Sequence, residues 1–198
     1  MWRTILATTA VLVAGVATIV IETDGLAAFT TEGARRLAVT RAPVPVPSVR
    51  LRDERGEAIE FPVAGRAMLV EFVYTSCPTL CVSLAQAFAR IRDDLERAGA
   101  DPVLRLLSVS FDPARDDPPA LRAYAEAHGA DRRRWRVAVP ETEADLRSLL
   151  ETFGVIVIAD GEGGFVHNAA LHLVDAEGRL AAIFDPDEGE RAAQRLLP

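Results

Sequence analysis

Hydrophobic positions along this chain follow two different spacings, and each spacing predicts one kind of element. Over residues 80–98, Leu84, Phe88 and Ile91 recur about every 3.6 residues, which predicts a helix with one apolar face. Residues 67–74 instead form a nearly unbroken apolar run, which is typical of a buried strand. The same criteria predict further strands at 48–53, 57–61, 103–111, 134–139, 169–175 and 179–184, and further helices at 118–128, 141–153 and 188–197. Because strands and helices alternate and a hairpin closes the series, the pattern predicts an α/β fold.

The N-terminal stretch lacks this alternation of strands and helices, and its composition is typical of a membrane segment. Residues 5–21 form a run of 17 residues without charge. At about 1.5 Å per residue, this run is as long as a short transmembrane helix. Arg3 precedes the run and Glu22 follows it, so the N-terminus is expected to stay in the cytoplasm. The small residues of 25–28 leave a cleaved signal peptide as the alternative. Either way, the rest of the chain is expected outside the cytoplasm.

The segment after this run carries alternating prolines, Ala42-Pro-Val-Pro-Val-Pro47, which favour an extended, semi-rigid conformation. We therefore predict three parts. Residues 1–24 form a transmembrane anchor or signal segment, residues 25–47 form an extended proline-containing tether, and residues 48–198 form one folded domain. A length of about 150 residues is that of a single domain.

Composition and charge narrow the class of function. Hydrophobic residues make up 49% of the chain, which is ample for a core. The net charge of −7 argues against nucleic acid as a partner, because nucleic-acid binding needs a basic face.

The two cysteines of the chain, Cys77 and Cys81, lie at the junction between a predicted strand and a predicted helix. Residues i and i+4 of a helix lie roughly 6 Å apart, which suits either a disulfide or two sulfur ligands on one metal ion. The positive end of a helix stabilises a thiolate, so Cys77 is the better nucleophile and Cys81 its resolving partner. A purely structural disulfide is one alternative, although a disulfide that closes so short a loop stabilises the fold by only about 2 kcal/mol. Two buried, inert thiols are the other.

Three histidines are the further candidates for a metal or catalytic site. His128 stands at a predicted helix end, where a solvated role is the simplest interpretation. His167 opens the predicted closing hairpin, and His172 follows five residues later. In a regular strand these two side chains would face opposite sides, so only one could face the cysteines. Spacing alone leaves a merely structural role open for either.

Several segments, taken together and in order over residues 46–184, resemble the Sco/SenC family. The cysteine motif is the first, the stretch around Asp112 the second, and the region of His167 the third. The matching segments are Thr75-Ser-Cys-Pro-Thr-Leu-Cys81, Ser108-Val-Ser-Phe-Asp-Pro-Ala-Arg-Asp116, Leu121-Arg-Ala-Tyr-Ala-Glu-Ala-His-Gly129 and Leu171-His-Leu-Val-Asp-Ala-Glu-Gly-Arg-Leu180. This combined pattern is far more specific than two cysteines at this spacing.

The resemblance implies a thioredoxin-like fold, with a central mixed sheet flanked by helices, behind a membrane anchor. It also implies one copper ion per chain, as Cu(I), Cu(II) or both, held by Cys77, Cys81 and His167. Two soft thiolates suit Cu(I), and an imidazole also accommodates Cu(II). Asp112 is implied to lie close to these ligands, although an ordinary turn residue is an equally good interpretation.

The function implied is that of a copper chaperone rather than a turnover enzyme. The protein would deliver copper to the binuclear copper site of cytochrome c oxidase. Its partners would be the copper-accepting oxidase subunit or another copper carrier, and its domain would lie on the periplasmic side of a bacterial inner membrane.

An oxidoreductase is the alternative function, with Cys77 and Cys81 as a catalytic redox pair that reduces partner cysteines. Thioredoxin-like reductases characteristically carry a proline at the start of the final hairpin, but this chain has none between Pro140 and Pro186, which favours metal binding. A thiol peroxidase would need polar groups around one cysteine that the sequence does not offer. One departure from the family is Val166, where many members carry an aspartate before the histidine; we therefore expect a less firmly oriented ligand.

Overall fold

The computed structural model describes residues 1–77, 80–101 and 103–197, with the backbone alone for residues 80–82. The chain divides into two compact units, Met1–Ala42 and Pro43–Pro198. The second unit thus begins at Pro43 rather than at the predicted Ser48, whereas the roles given to the three predicted parts stay predictions.

The first unit opens with an apolar helix, α1 (Trp2–Glu22). Its most apolar window of 18 residues has a mean hydropathy of 2.3, and none of its residues is buried. By length and composition it fits a membrane anchor, and a signal sequence has the same features.

A second helix, α2 (Thr31–Arg41), occupies nearly half of the segment that we predicted to be an extended tether, so this part of the prediction is wrong. The Thr30 side chain caps the helix by accepting a hydrogen bond from the Gly33 N–H at 2.9 Å. Glu32 and Arg36 form an ion pair at 3.1 Å, one turn apart. The prolines that favoured an extended chain all lie beyond the end of this helix.

The second unit contains ten strands and four α-helices within its described residues. In chain order they are β1 (Val44–Pro45), β2 (Val49–Asp53), β3 (Ala58–Phe61), β4 (Met68–Val73), α3 (Leu80–Arg97), β5 (Leu106–Ser110), α4 (Pro118–His128), β6 (Trp135–Pro140), α5 (Glu143–Phe153), β7 (Val157–Ala159), β8 (Phe165–His167), β9 (Leu171–Val174), β10 (Arg179–Phe184) and, after a 3-10 turn at Pro186–Glu188, α6 (Gly189–Gln194). The strands and helices that the sequence predicted are confirmed within a few residues.

Eight strands form one mixed sheet in the order β1-β10-β9-β4-β5-β6-β2-β3. Strands β4, β5 and β6 are parallel to one another, and the remaining pairs are antiparallel. Strand β4 lies at the centre and is buried along its whole length, which explains its unbroken apolar run. Val73 ends β4 beside Ser110, which ends β5. The loops that follow these two strands therefore leave the same edge of the sheet, where α/β folds place their ligands.

Helices cover both faces of this sheet, as the fold prediction required. Glu71 and Phe72 are consecutive on β4 and thus point to opposite faces. On the Glu71 side, the ring of Trp135 packs against Phe88 of α3 at 5.6 Å. On the Phe72 side, the ring of Phe72 packs against Phe153 of α5 at 5.2 Å. The cysteine-bearing helix α3 therefore lies on the same face as Glu71.

Two features of the second unit were missed. Strand β1 is only two residues long and pairs with the edge of β10, Val44 opposite Leu180. Strands β7 and β8 form a separate two-stranded ribbon, with Val157 opposite His167. His167 therefore ends this ribbon instead of opening the following hairpin. Because residues 168–170 interrupt the strand, the alternation that we used to relate His167 to His172 does not extend across them.

Candidate metal centre

Cys77 lies in a tight turn between the end of β4 and the start of α3. Its N–H donates to the carbonyl oxygen of Tyr74 at 3.2 Å, and its side chain is half-buried. Cys81 stands in the first turn of α3, as the sequence predicted, but its side chain lies outside the described residues. The pairing of the two sulfurs, by a disulfide or through a metal, stays a prediction.

The carboxylate of Asp116 holds this turn in place. It accepts hydrogen bonds from the Thr75 N–H at 2.9 Å, the Thr75 hydroxyl at 2.6 Å and the Ser110 hydroxyl at 2.5 Å. Asp116 is fully buried, and each of these three bonds is made to a charged acceptor. The loop after β5 is thereby fixed to the residue that lies two positions before Cys77.

Asp112, the residue that the family resemblance placed near the metal, has different contacts. Its carboxylate forms an ion pair with Arg115, and its N–H donates to the Ser110 hydroxyl at 3.0 Å. Asp116 therefore contacts the described part of the cysteine turn, and the proximity of Asp112 to the metal ligands stays a prediction. The sequence motif contained Asp116, but its position just before Asp117 and Pro118 suggested only a helix start.

His167 is buried, with 7% of its surface exposed, and its ring packs against the ring of Phe111 at 4.9 Å. Its Nδ1 lies 3.2 Å from the carbonyl oxygen of Asn168, which can only accept, so Nδ1 carries the proton. This tautomer presents the lone pair of Nε2, the arrangement that metal-binding histidines adopt. Burial lowers the pKa of His167 and therefore favours the neutral ring that binds metals.

Tyr74 connects the ribbon that carries His167 to the turn that carries Cys77. Its hydroxyl accepts a hydrogen bond from the Phe165 N–H at 3.3 Å, and its ring lies 5.3 Å from the Phe165 ring. The same ring lies 6.4 Å from the His167 ring. Since the Tyr74 carbonyl also accepts from the Cys77 N–H, a single residue contacts both predicted ligand-bearing segments.

The other two histidines lie elsewhere. His172 is buried in the core, where its ring meets those of Phe72 at 5.7 Å and Phe153 at 5.2 Å, which gives it the structural role that spacing alone left open. Phe72 thus packs in the core with Phe153 and His172. His128 is half-buried, and its ring lies 4.4 Å from the Tyr124 ring. It is therefore less exposed to solvent than we predicted.

No three His, Cys, Asp or Glu side chains come together as a metal site among those that the structure describes, which do not include Cys81. The ligand set Cys77, Cys81 and His167 therefore extends beyond the described side chains and stays a prediction. What the structure provides is the burial of His167, the contact of its Nδ1 with the Asn168 carbonyl oxygen, and its connection to the cysteine turn through Tyr74.

Glu71 is a second buried acidic group, and sequence reasoning missed it. Its Oε1 accepts from the Ser108 hydroxyl at 2.6 Å, and that hydroxyl accepts from the Trp135 indole N–H at 2.8 Å. Its Oε2 has no hydrogen-bond partner among the described residues. Burial raises the pKa of Glu71 to about 8, so this carboxyl is mostly protonated at neutral pH. The sequence did contain a signal for this site, because Glu71 is the one charged residue within the apolar run of residues 67–74.

Comparison with known proteins identifies relatives of the second unit. The SCO1 protein homolog of Bacillus subtilis (strain 168) is 25% identical over 118 residues, which are 59% of this chain and 60% of that protein. The chain thus matches less than two thirds of that relative's length.

Solved structures show the same fold. BsSco, described as a member of the Sco family of cytochrome c oxidase assembly proteins, has a TM-score of 0.68 and 20% identity over 78% of this chain and 92% of its own. ScoI of Bradyrhizobium japonicum, solved with copper bound, has a TM-score of 0.62 and 21% identity over 78% of this chain and 100% of its own. The thioredoxin-like fold that the sequence resemblance implied is confirmed. The SCO1/SenC family model matches residues 46–197, which is most of the chain and nearly all of its second unit. The chain belongs to the SCO1/SenC family.

Proposed function

We propose that this protein is a membrane-anchored copper chaperone that binds one copper ion through Cys77, Cys81 and His167. It delivers the ion to the binuclear copper site of cytochrome c oxidase. The observation that carries this proposal is the position of His167: a buried imidazole whose Nδ1 faces the Asn168 carbonyl oxygen, connected through Tyr74 to the turn that bears Cys77. Copper is the cargo of this reaction and not a resident cofactor.

The donor set suits a metal that has to be handed on. Two thiolates favour Cu(I), and an imidazole adds affinity for Cu(II). Three protein ligands leave a coordination position into which a donor atom of the partner can enter. Cys77 is half-buried, so an incoming ligand can approach it from solvent. We expect release by stepwise ligand exchange, in which the partner's donors replace those of this chain.

The redox state of the cysteine pair controls loading. Exchange with a partner's disulfide would oxidise the two thiols to a disulfide, pass two electrons and two protons to the partner's cysteines, and abolish both thiolate ligands. Two relatives support the copper-chaperone proposal. One was solved with copper bound, and the other is a member of a family of cytochrome c oxidase assembly proteins.

The anchor places the site at the membrane where its acceptor resides. Helix α1 carries Arg3 near its first turn and ends at Glu22, so the positive-inside rule puts the second unit on the periplasmic side. A copper-accepting oxidase subunit, or another copper carrier on that side, is the partner that this arrangement suits.

An anaerobic copper titration of the full-length protein in detergent micelles tests the proposal. With reduced thiols, we expect one equivalent of copper and thiolate-to-copper charge-transfer absorption. Cys77→Ser should lose this signal, and His167→Ala should weaken binding by at least about tenfold. His128→Ala is the matched control, because it removes a half-buried histidine on α4.

Two outcomes would contradict the proposal that this protein is a copper chaperone. Absence of copper binding by the reduced protein is one, and unchanged affinity in His167→Ala is the other. If copper does not bind while the dithiol is readily oxidised and reduced, the protein is instead a thiol–disulfide oxidoreductase that uses Cys77 and Cys81.

A further inference from the structure

The ribbon that carries His167 is a marginal element by itself. Strands β7 and β8 have three residues each and, within the described part of the chain, pair only with one another. On their outer face, Ile158 and Val166 lie opposite each other and are 60% and 63% exposed. A two-stranded hairpin without a buried face is barely stable in water. The orientation of His167 therefore depends on what holds the inner face and the tip of the ribbon.

Arg115 contacts the tip of this ribbon from the loop that follows β5. Its guanidinium donates to the carbonyl oxygen of Gly163, in the turn between the two strands. The same group lies over the Phe165 ring, with its central carbon 5.1 Å from the ring centroid. Its Nε also donates to the carboxylate of Asp112. One side chain thus makes a backbone contact and an aromatic contact with the ribbon, and a charged contact with its own loop.

The loop that carries Arg115 is fixed to the cysteine turn. The Arg115 N–H donates to the Asp112 carbonyl oxygen at 3.1 Å, which closes a turn within the loop. The next residue is Asp116, whose buried carboxylate holds both hydrogen-bond donors of Thr75. Arg115 therefore extends from a segment bound to the cysteine side of the site to the ribbon on the histidine side.

We propose that Arg115 is a positioning residue that fixes the β7–β8 ribbon, and thereby His167, relative to the cysteine turn. This inference rests on the proposed function in so far as His167 is taken as a copper ligand. Arginine suits the role because its planar guanidinium can bond a carboxylate and a carbonyl while it stacks on a ring. Lysine, a point charge on a flexible stem, can keep the ion pair but not all three contacts.

The test compares full-length Arg115→Ala and Arg115→Lys with Arg133→Ala. Arg133 is an exposed arginine in the loop before β6, so its removal changes the net charge equally. Hydrogen exchange of the metal-free protein is the first measurement. We expect the amides of residues 157–167 to exchange faster in Arg115→Ala, to be intermediate in Arg115→Lys, and to be unchanged in Arg133→Ala. Exchange in the strands of the large sheet should not change in any variant.

Copper affinity in a double-mutant cycle is the second measurement. Arg115→Ala should bind copper about tenfold more weakly than the wild type. In the His167→Ala background the same substitution should have no further effect, because a positioning residue acts only through the side chain that it positions. Arg133→Ala should leave the affinity unchanged in both backgrounds.

Unchanged ribbon exchange in Arg115→Ala would overturn the proposal, and so would a loss of affinity that persists in the His167→Ala background. If Arg115→Ala does not fold, the same two measurements on Arg115→Lys decide. If the wild-type protein binds no copper, the proposed function fails, and ribbon exchange alone decides whether Arg115 fixes the segment of His167.

Discussion

Asp116 accepts two hydrogen bonds from Thr75, one from its backbone N–H at 2.9 Å and one from its hydroxyl at 2.6 Å. These residues are 41 positions apart in the chain, and Thr75 lies just before Cys77. The shape of the cysteine turn therefore depends on a carboxylate supplied by the loop between β5 and α4.

We predict that Asp116→Ala destabilises the fold by about 3 kcal/mol, because it leaves the buried Ser110 hydroxyl and the two half-buried donors of Thr75 without their charged acceptor. Urea unfolding measures this loss. The neighbouring Asp117→Ala is the control: Asp117 caps α4 by accepting from the Ala120 N–H at 2.9 Å, and loss of a cap costs about 1 kcal/mol. Alkylation of Cys77 should become faster in Asp116→Ala only. Equal effects of the two substitutions would show that Asp116 merely supports the helix.

Glu71 should make the protein less stable as the pH rises. Its pKa is raised to about 8 in the folded state by burial, whereas the unfolded chain ionises this group near the ordinary 4.5. Between these two values the unfolded state binds fewer protons, so the free energy of unfolding falls with increasing pH. The total decrease is a few kcal/mol, at roughly 1.4 kcal/mol for each pKa unit.

Glu71→Gln should remove this dependence, since the amide stays neutral at every pH. Its stability relative to the wild type is expected to rise steadily from pH 4.5 to pH 8 and then to level off. Urea unfolding over this range measures the difference, with Glu96→Gln on the exposed face of α3 as the control for lost charge. A pH-independent difference between Glu71→Gln and the wild type would mean that the Glu71 carboxyl is already ionised in the folded protein.

The contribution of His167 to copper affinity should persist to mildly acidic pH. Burial holds the pKa of His167 below its ordinary 6.5, so at mildly acidic pH this ring exchanges its metal-binding lone pair for a proton less readily than an exposed histidine does. Competition titrations should give a constant ratio of His167→Ala to wild-type dissociation constants from pH 8 to pH 6.5. The ratio should approach one only at lower pH. Protons also compete with copper at the cysteine thiolates. This effect is the same in His167→Ala and in the wild type, so it cancels in the ratio of their dissociation constants. A ratio that falls already between pH 7.5 and pH 6.5 would contradict a buried, neutral His167.

Local sequence patterns were sufficient for most of the architecture. The apolar run of β4 and the helical spacing of Leu84, Phe88 and Ile91 predicted a buried strand and a one-faced helix, because burial repeats with the period of each element. The cysteine pair was placed correctly at the junction between them for the same reason. Helix α2 was missed because nearby prolines dominated the interpretation of a segment with almost no buried face.

Contacts between distant parts of the chain determined the rest. The N–H of Phe165 meets the hydroxyl of Tyr74 across 91 positions, and no local period contains such a pair. The same holds for the contact between Asp116 and Thr75, which joins positions 41 residues apart. By itself, the sequence determined the elements, the cysteine motif and the family resemblance, since these depend on local spacing and residue type. Only the tertiary structure decided which histidine lies in the core and which lies beside Tyr74, because packing across the sheet fixes the surroundings of each ring.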